Sequence, residues 1–572
     1  MNTSATDAPS PGTPAEGMRR TPVPVVPVDL PGLVGARWPA PGPPPSWLVP
    51  AAAAAGAVGA VVLPFRERLG LGVFVAALAC AVPVAILARG RRGTGAWTLG
   101  ALAVGLSWVP VVRDSPWLAG FCLLAATGLA VAAVLDARSW TAVVGCVPAF
   151  GLGVLLALPW LLRAAPRRRR RPAAAGSNGA DGSNGADGAA TQAAAAAEAA
   201  ARAEARRRRA AWLNGIVVGG VVAVVVGALL ASADAAFARL IDVVVPDVTL
   251  DLDVDLGTVP ARGVTFLALA GIVTGGAYAV LSQVTWVSLE SLRPRPAGHA
   301  AAWLTPVVLV GTVIGLFLAL QATLLFGGAD VVLRGSGISH ASRARQGFGQ
   351  LFLVTLIVLG LLAWAGRQAG RQAGHGGAQA TVHNHRRLFG IAGGALTAMT
   401  LLLAASALRR LWLYQDQYGW TVARIVAGSV EIWIAFLLVA IAAAWLLRRM
   451  DAVPRLVVGS AGAGLLALAL AGPDNLAARW NVERFEATGK IDTRYLELLS
   501  ADAVPALDRL PEPQRWCVLR GREAVADDWA RWNLARASAA GVLRDRPPTA
   551  PPLTQSGSAC GNLDLRVSTP NP

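Results

Sequence analysis

The sequence predicts an all-α protein: a polytopic transmembrane helix bundle of about 11–13 spans (best count 12), followed by a small, mainly helical extracytoplasmic domain. Hydrophobic residues make up 54% of the 572 residues, mean hydropathy is +0.51, and only 15% of residues are charged. Apolar runs of about 17–25 residues, the length that crosses the hydrocarbon layer, recur along the chain. The net charge of +17 comes mainly from arginines between those runs, where they set orientation. Nucleic-acid binding is therefore not expected.

The first 46 residues are predicted to form a disordered, Pro-rich N-terminal tail. They contain many prolines and no periodic apolar pattern. No short apolar core follows Arg19 and Arg20, so we do not interpret this segment as a secretory signal peptide.

A first membrane block of about five helices is predicted over 47–162. Prolines inside these runs are tolerated because neighbouring membrane helices satisfy the backbone groups that proline frees. The arginines at 89–92 favour the cytoplasm, whereas five full crossings before the next linker would put them outside. A re-entrant early segment or a count that is off by one is left open. The candidate spans are 47–64, 69–88, 96–112, 117–135 and 140–162.

A basic linker rich in Gly, Asn and Ala is predicted over 163–211. It combines five consecutive arginines (Arg167–Arg171), a tandem GSNGAD repeat and an Ala-rich helical stretch. A cytoplasmic linker that fixes orientation is the simplest interpretation. Binding of anionic lipid, or docking of a protein, is the alternative.

A second membrane block of about seven helices is predicted over 212–472. The loop at 232–262 carries six Asp and two Arg, and the loops at 290–302, 366–387 and 448–453 are more basic, so we expect the former outside and the latter in the cytoplasm. Alternating Asp at 247–255 fits a strand, and calcium binding is disfavoured because the EF-hand Gly and Glu are missing. The candidate spans are 212–231, 263–287, 303–326, 348–365, 388–408, 422–447 and 454–472.

An extracytoplasmic helical domain is predicted over 473–545, and a flexible tail over 546–572. Amphipathic helices are expected at 495–510 and 522–537. Cys517 and Cys560 are the two cysteines outside the apolar runs, so in an oxidising compartment they favour a disulfide, with two free thiols as the alternative.

Two stretches point to a family. RLWLYQDQYGWTVAR (Arg410–Arg424) and ARWNVERFEATGKIDTRYLELLSADAVPAL (Ala478–Leu507) resemble the bacterial polytopic membrane proteins catalogued as domain of unknown function 4153, with its close relative 4173. The similarity covers roughly Trp212 to the 530s. The resemblance implies membrane residence and supports the helix count, and it implies no activity.

Signatures of soluble enzymes are mostly missing: the sequence has no phosphate-loop motif, no HExxH, no CxxC pair and no nucleophile elbow. His375, His383 and His385 share one loop without a nearby Cys or carboxylate, so a solvated loop is favoured over a metal site. We expect no metal and no cofactor.

Glu431 is the most unusual residue, because it lies about ten residues into an apolar span. Arg424 precedes it by two helical turns on the same face, too far for direct contact. Three roles remain open for Glu431: a structural polar contact, part of a solute or proton path, or catalysis.

The connector before Arg424 concentrates Arg409, Arg410, Tyr414, Asp416 and Tyr418. One interpretation is an interfacial belt at headgroup depth. The other is the mouth of a site that holds an anionic or sugar-like group, closed from above by polar residues after the last span, among them Asn481 and Arg484.

Three function classes follow for this multi-pass protein, which we place in the cell membrane with the lipid bilayer as its one expected partner. A non-catalytic, envelope-associated scaffold or sensory protein ranks first. A secondary transporter of a small solute ranks second, based on Glu431, Gln283 and Gln321. A membrane-embedded transferase acting at the outer face ranks third.

Overall fold

The computed structural model describes residues 36–39, 41–63, 68–164, 259–286, 301–326, 340–374, 379–524, 526–550 and 560. Within these ranges the chain is almost entirely helical, as predicted. The one sheet joins β1 (Ala36–Arg37) to β2 (Thr285–Trp286) in an antiparallel pair. Most of the basic linker, the predicted span 212–231 and the acidic loop up to residue 258 lie outside the described residues.

Seven helices form the first group, which packs around two apolar clusters. α7 packs against α1, α2 and α6, and α3 packs against α5. Small residues allow close approach: a Cβ atom at Gly56 would lie 2.6 Å from the Phe266 carbonyl oxygen. The helices are α1 (Leu48–Val62), α2 (Leu71–Ala88), α3 (Thr94–Ser107), α4 (Val109–Val112), α5 (Pro116–Val134), α6 (Trp140–Ala164) and α7 (Val259–Ser282).

Five helices form the second group. α9 and α10 form an antiparallel hairpin, α8 packs against both, and α11 lies against α9, α10 and α12. α12 also packs on α3 and α5, so it joins the two groups. The helices are α8 (Ala301–Phe326), α9 (His340–Gly374), α10 (Gln379–Tyr418), α11 (Val422–Leu446) and α12 (Val453–Ala471).

Nine helices in the described ranges are long and apolar enough to cross a membrane, and two shorter apolar helices accompany them, Leu48–Val62 and Trp303–Ala319. Together they coincide with eleven of the twelve predicted spans, and the twelfth, 212–231, falls outside the described part. Large apolar side chains on these helices point outward, for example Leu124 and Leu316, which are 71% and 73% exposed. The chain is a multi-pass integral membrane protein.

The C-terminal region, residues 473–550, folds onto one face of the bundle, which we call the C-terminal face. Its own apolar core includes Val482, Leu496 and Leu507. Gly472, in the left-handed conformation at φ +70°, separates α12 from the first helix of this region. The helices are α13 (Pro473–Thr488), α14 (Thr493–Glu497), α15 (Val504–Leu507), α16 (Gln514–Leu519) and α17 (Leu534–Asp545), with a short 3₁₀ turn at Ala501–Ala503. Another 3₁₀ turn, Met450–Ala452, lies between α11 and α12.

Two predicted helices of this region are wrong in extent. The stretch 495–510 breaks into shorter pieces, because the backbone N–H of Ser500 donates to Asp474 Oδ1 (3.2 Å) rather than continuing a helix. The stretch 522–537 becomes helical only at Leu534. The carbonyls of Ala530 and Trp532 instead accept the backbone N–H groups of Gly72 and Leu71, at 2.7 and 3.1 Å, and so complete the N-terminus of α2.

The other end of the bundle, which we call the opposite face, gathers basic turns. Arg455 at the start of α12 pairs with Asp136 at the end of α5. Arg92, after α2, donates to the Val134 carbonyl oxygen at 2.6 Å. The arginines at 89–92 therefore share a face with the α11–α12 turn, which the sequence assigned to the cytoplasm.

The last part of the predicted N-terminal tail has a defined place on the bundle. After β1, the Trp38 ring stacks on Tyr278 with centroids 5.5 Å apart. The Gly42 carbonyl oxygen accepts a hydrogen bond from Trp160 Nε1 at 2.9 Å. Trp38 thus contacts α7, and Gly42 contacts α6.

Candidate functional site

The connector between α10 and α11 is a three-residue turn, Gly419–Thr421, and α13 contacts it through Asn481. The predicted connector was wrong in extent, because α10 continues as a helix to Tyr418 and includes Arg409, Arg410, Tyr414 and Asp416. Asn481 makes a two-way clamp with Trp420: Oδ1 accepts from its backbone N–H (3.1 Å) and Nδ2 donates to its carbonyl oxygen (2.7 Å). Gly419 has φ +84°, and a Cβ atom there would lie 2.7 Å from Asn481 Oδ1. Asn481, which the sequence placed in a polar site, therefore fixes the connector backbone.

The C-terminal region contacts the connector at two more points. Arg484 Nη2 donates to the Gln417 carbonyl oxygen at 2.8 Å. The Tyr495 hydroxyl accepts the backbone N–H of Val422 at 2.7 Å, which satisfies the first free donor of α11. Burial raises the pKa of Tyr495 above its usual value, so the hydroxyl stays neutral at physiological pH.

Arg424 is fixed at the first turn of α11. Its Nη1 donates to the Gly419 carbonyl oxygen at 2.6 Å, and its guanidinium lies 4.4 Å from the centre of the Tyr414 ring. The Tyr414 and Tyr418 rings are 4.6 Å apart. These three predicted residues are therefore adjacent.

A cavity of about 470 Å³ opens beside this cluster, between the ends of α10 and α11. Trp480 covers it from α13, and its ring lies 4.2 Å from that of Trp420. The walls are mostly apolar, and Arg409 and Arg424 are the charged residues among them. The lining residues are Leu408, Arg409, Leu411, Trp412, Gln415, Trp420, Arg424, Ile425, Gly428, Ser429 and Trp480. We call this the C-terminal-face cavity.

Glu431 lies apart from that cavity, fully buried between α9 and α11. Its Oε1 accepts a hydrogen bond from Thr355 Oγ1 at 3.3 Å, and the same hydroxyl lies 3.0 Å from the Leu351 carbonyl oxygen. Its Oε2 has no hydrogen-bond partner within the described part of the chain. Glu431 thus faces the bundle interior, and Arg424 is not its partner.

Glu431 is nevertheless close to the cavity along α11. Gly428 lines the cavity and precedes Glu431 by three residues, which puts the two on one helix face about 4.5 Å apart along the axis. Leu411 packs on Gly428, where a Cβ atom would approach its Cδ2 at 3.2 Å. Leu411, which also lines the cavity, therefore contacts the part of α11 that is one turn from Glu431.

Two other predicted residues take no described part in the site. Arg410 is half-buried on α10 and is not among the residues that line the cavity. The side chain of Asp416 lies outside the described side chains, as do those of His383 and His385. The side chain of Gln321 is likewise outside the described side chains. Gln283 directly follows α7 at the opposite face.

Sequence reasoning missed a second polar cluster, which we call the polar junction: Arg113, Asp114, Asp502, Asn533 and Arg536. Asp502 pairs with Arg113 at 3.3 Å and accepts the backbone N–H of Asp114 at 2.8 Å. Arg536 pairs with Asp114 at 2.7 Å. Asn533 Nδ2 donates to the carbonyl oxygens of Pro110 and Arg113, at 2.8 and 2.9 Å. The sequence did contain one indication of this cluster, because Arg113 and Asp114 are adjacent charged residues between two apolar runs.

The two extramembrane cysteines, Cys517 and Cys560, form a disulfide in the structure, with Cα atoms 5.7 Å apart. Cys517 lies in α16 and is buried in the C-terminal region. The bond ties residue 560 back to this core.

Comparison with known proteins identifies one family. The family model described as a domain of unknown function (DUF4153) matches residues 99–510, from α3 to the end of the stretch that follows α15. The match begins well before Trp212, the residue at which the sequence analysis placed the start of the resemblance. It includes Arg424, Glu431 and Asn481 and ends before Asn533. No curated protein and no solved structure matches the chain.

Proposed function

The chain belongs to the DUF4153 family, a domain of unknown function, and we propose that it is a non-catalytic membrane scaffold or sensory protein that binds an anionic amphiphile. The observation that supports this is the C-terminal-face cavity. Its size is within the range of small-molecule sites, about 300–1,000 Å³, and its mostly apolar lining includes two arginines, Arg409 and Arg424. An acyl or isoprenyl chain suits the walls, and a phosphate at its end suits the arginines.

The cavity is connected to the C-terminal region in a way that suits a sensor. Trp480 covers the cavity, and the next residue, Asn481, clamps the connector. A ligand that moves the Trp480 ring would therefore move α13 relative to α11. The C-terminal region is the part of the molecule that would report occupancy.

We further propose that the C-terminal face is extracytoplasmic and that the host membrane is the cell membrane. The basic turns at 89–92, 138 and 448–455 lie together at the opposite face, which favours the cytoplasm for that side. A Cys517–Cys560 disulfide agrees with an oxidising compartment.

Thiol labelling in intact cells tests this orientation. A membrane-impermeant maleimide should label Cys517 and Cys560 only after reduction, in a variant that lacks the other three cysteines. Labelling only after lysis would contradict the orientation, and labelling of intact cells without reductant would contradict the disulfide. A single cysteine introduced at exposed Arg89 is the matched control and should resist the impermeant reagent until lysis.

Native mass spectrometry tests the ligand. We expect wild-type protein to bind phosphatidylglycerol in preference to phosphatidylcholine, and Arg409→Gln combined with Arg424→Gln to weaken that binding about tenfold or more. Arg479→Gln, an exposed arginine of α13 outside the cavity, is the control and should bind as wild type does. Equal losses in both variants, or no preference for the anionic lipid, would contradict the proposal.

A second candidate, a proton-coupled transporter, is favoured by Glu431 alone. Glu431 is a fully buried carboxyl, and its Oε2 has no partner among the described residues. It lies one helical turn from an open cavity and is suited to taking up and releasing a proton. Reconstituted vesicles with an internal pH dye test it directly. A solute-dependent proton flux that Glu431→Gln abolishes would support transport. The absence of flux with every solute offered would contradict transport and favour the scaffold or sensory role.

A further inference from the structure

A second cavity, of about 560 Å³, lies at the opposite face among the ends of α2, α5 and α7. Unlike the C-terminal-face cavity, it is lined mainly by polar and charged side chains. Its lining residues are Gly90, Arg91, Arg92, Asp136, Arg138, Ser139, Gln283, Val284 and Trp286. We call it the basic cavity.

Arg92 is held in place by two helix ends. Its Nε and Nη2 donate to the Val134 carbonyl oxygen at 3.0 and 2.6 Å, and Nη2 also donates to that of Ala279 at 3.2 Å. These carbonyls belong to the last turns of α5 and α7, where the helix leaves carbonyls unbonded and partly negative. Arg92 therefore has a structural role and builds one wall of the cavity.

Asp136 carries the one carboxylate among the described lining residues, and two guanidiniums share it. Arg138 donates to its Oδ2 from Nε and Nη2, at 2.9 and 2.7 Å, and Arg455 pairs with its Oδ1. Arg91 and Arg92 add two more cations. The cavity therefore has a surplus of positive charge that its own carboxylate does not neutralise.

The donors of this surplus are accessible. The Arg138 side chain is 66% exposed, and Arg91 is exposed, with one described side-chain hydrogen bond to the Leu87 carbonyl oxygen in the last turn of α2. The backbone around them is unusual, because Asp136 and Gln283 both have positive φ, +50° and +47°. Non-glycine residues adopt that conformation rarely, and it occurs preferentially at functional sites.

We propose that the basic cavity binds a phosphate group, carried either by an anionic phospholipid headgroup or by a soluble phosphate compound. Guanidiniums bind phosphate oxygens through charge-assisted hydrogen bonds. Basic recesses between helices at the cytoplasmic surface commonly hold such headgroups. Arg91 and Arg138 would bind the phosphate, while Arg92 positions the wall. This site is independent of the C-terminal-face cavity.

The two phosphate sources can be separated with full-length protein in nanodiscs. In the lipid arm, native mass spectrometry counts phosphatidylglycerol bound after release from the nanodisc. In the phosphate arm, calorimetry measures binding of inorganic phosphate to protein in phosphatidylcholine nanodiscs. We expect Arg138→Gln to weaken binding about tenfold for whichever of the two ligands the wild-type protein binds. Arg91→Gln is the second variant, because its one described side-chain hydrogen bond goes to the nearby Leu87 carbonyl oxygen in the last turn of α2.

Arg89→Gln is the matched control, since Arg89 is exposed in the same turn but does not line the cavity. It should bind within about twofold of wild type, and all variants should keep the wild-type thermal midpoint. Loss in the lipid arm alone identifies a headgroup site, and loss in the phosphate arm alone identifies a soluble ligand. Losses as large in Arg89→Gln, or no binding in either arm, would overturn the proposal.

Discussion

The polar junction and Glu431 both place carboxyl groups in largely buried positions, but these carboxyl groups differ in how completely their oxygens are paired. In the junction, Asp114 and Asp502 each have a guanidinium partner and additional hydrogen bonds. Glu431 has a threonine hydroxyl that also lies against a backbone carbonyl, and its second oxygen has no described partner. Complete pairing indicates a structural role, whereas an incompletely paired carboxyl within a span indicates a function.

The location of the two sets agrees with this difference. The junction lies where α2, α4 and the C-terminal region meet, so its bonds join segments more than 380 residues apart in sequence. Glu431 lies inside the second helix group, where a charged carboxylate costs about 2.5–3.5 kcal/mol on insertion scales.

The largest effect should come from breaking the junction. Arg536→Met should lower the free energy of unfolding by about 3–5 kcal/mol, because it leaves Asp114 and Asp527 buried without their cation. Arg509→Met is the control: its pair with Glu486 is about half exposed, so the loss should stay below about 1 kcal/mol. Denaturant unfolding in detergent measures both, and equal losses would contradict a structural junction.

A much smaller effect is expected at Glu431. Glu431→Gln keeps the size of the side chain and an oxygen that accepts from Thr355, so stability should change by less than about 1 kcal/mol. The same carboxyl-to-amide change at Asp114 should cost more, because it removes the charge that Arg536 requires. Thermal unfolding of the two variants side by side checks this. A loss at Glu431 as large as that at Asp114 would make Glu431 a structural residue.

The smallest effect is the pH dependence that Asp502 contributes. Burial raises its pKa above the ordinary 3.8, although Arg113, Ser500 and the Asp114 backbone favour the charged form. The folded state then holds the proton to higher pH than the unfolded state does. Stability from this group is therefore complete below the ordinary pKa and is lost as pH rises through the raised one.

Asp502→Asn does not titrate, so the variant isolates this contribution. The difference in melting temperature between wild type and variant should shift against the wild type as pH rises from about 3.5 to 7. A difference that is constant with pH, or that moves in favour of the wild type, would contradict the assignment.

The sequence predicted the membrane helices well, because apolar length alone determines them. It failed at the C-terminal region, where 522–537 has helical periodicity but gives its carbonyls to the N-terminus of α2. Long-range capping of this kind leaves no local pattern. The same limit applies to the site. Arg424, Tyr414 and Tyr418 are close in sequence and in space, whereas Asn481 was predicted as a site residue and instead bonds to backbone.

A cryo-electron microscopy map of the protein in phosphatidylglycerol nanodiscs would show directly whether the C-terminal-face cavity holds a lipid. We expect density for an acyl chain in this cavity, next to Trp480, with its phosphate within hydrogen-bond distance of Arg409 and Arg424. Ordered lipid elsewhere on the bundle, with that cavity empty or filled only by water, would contradict this expectation.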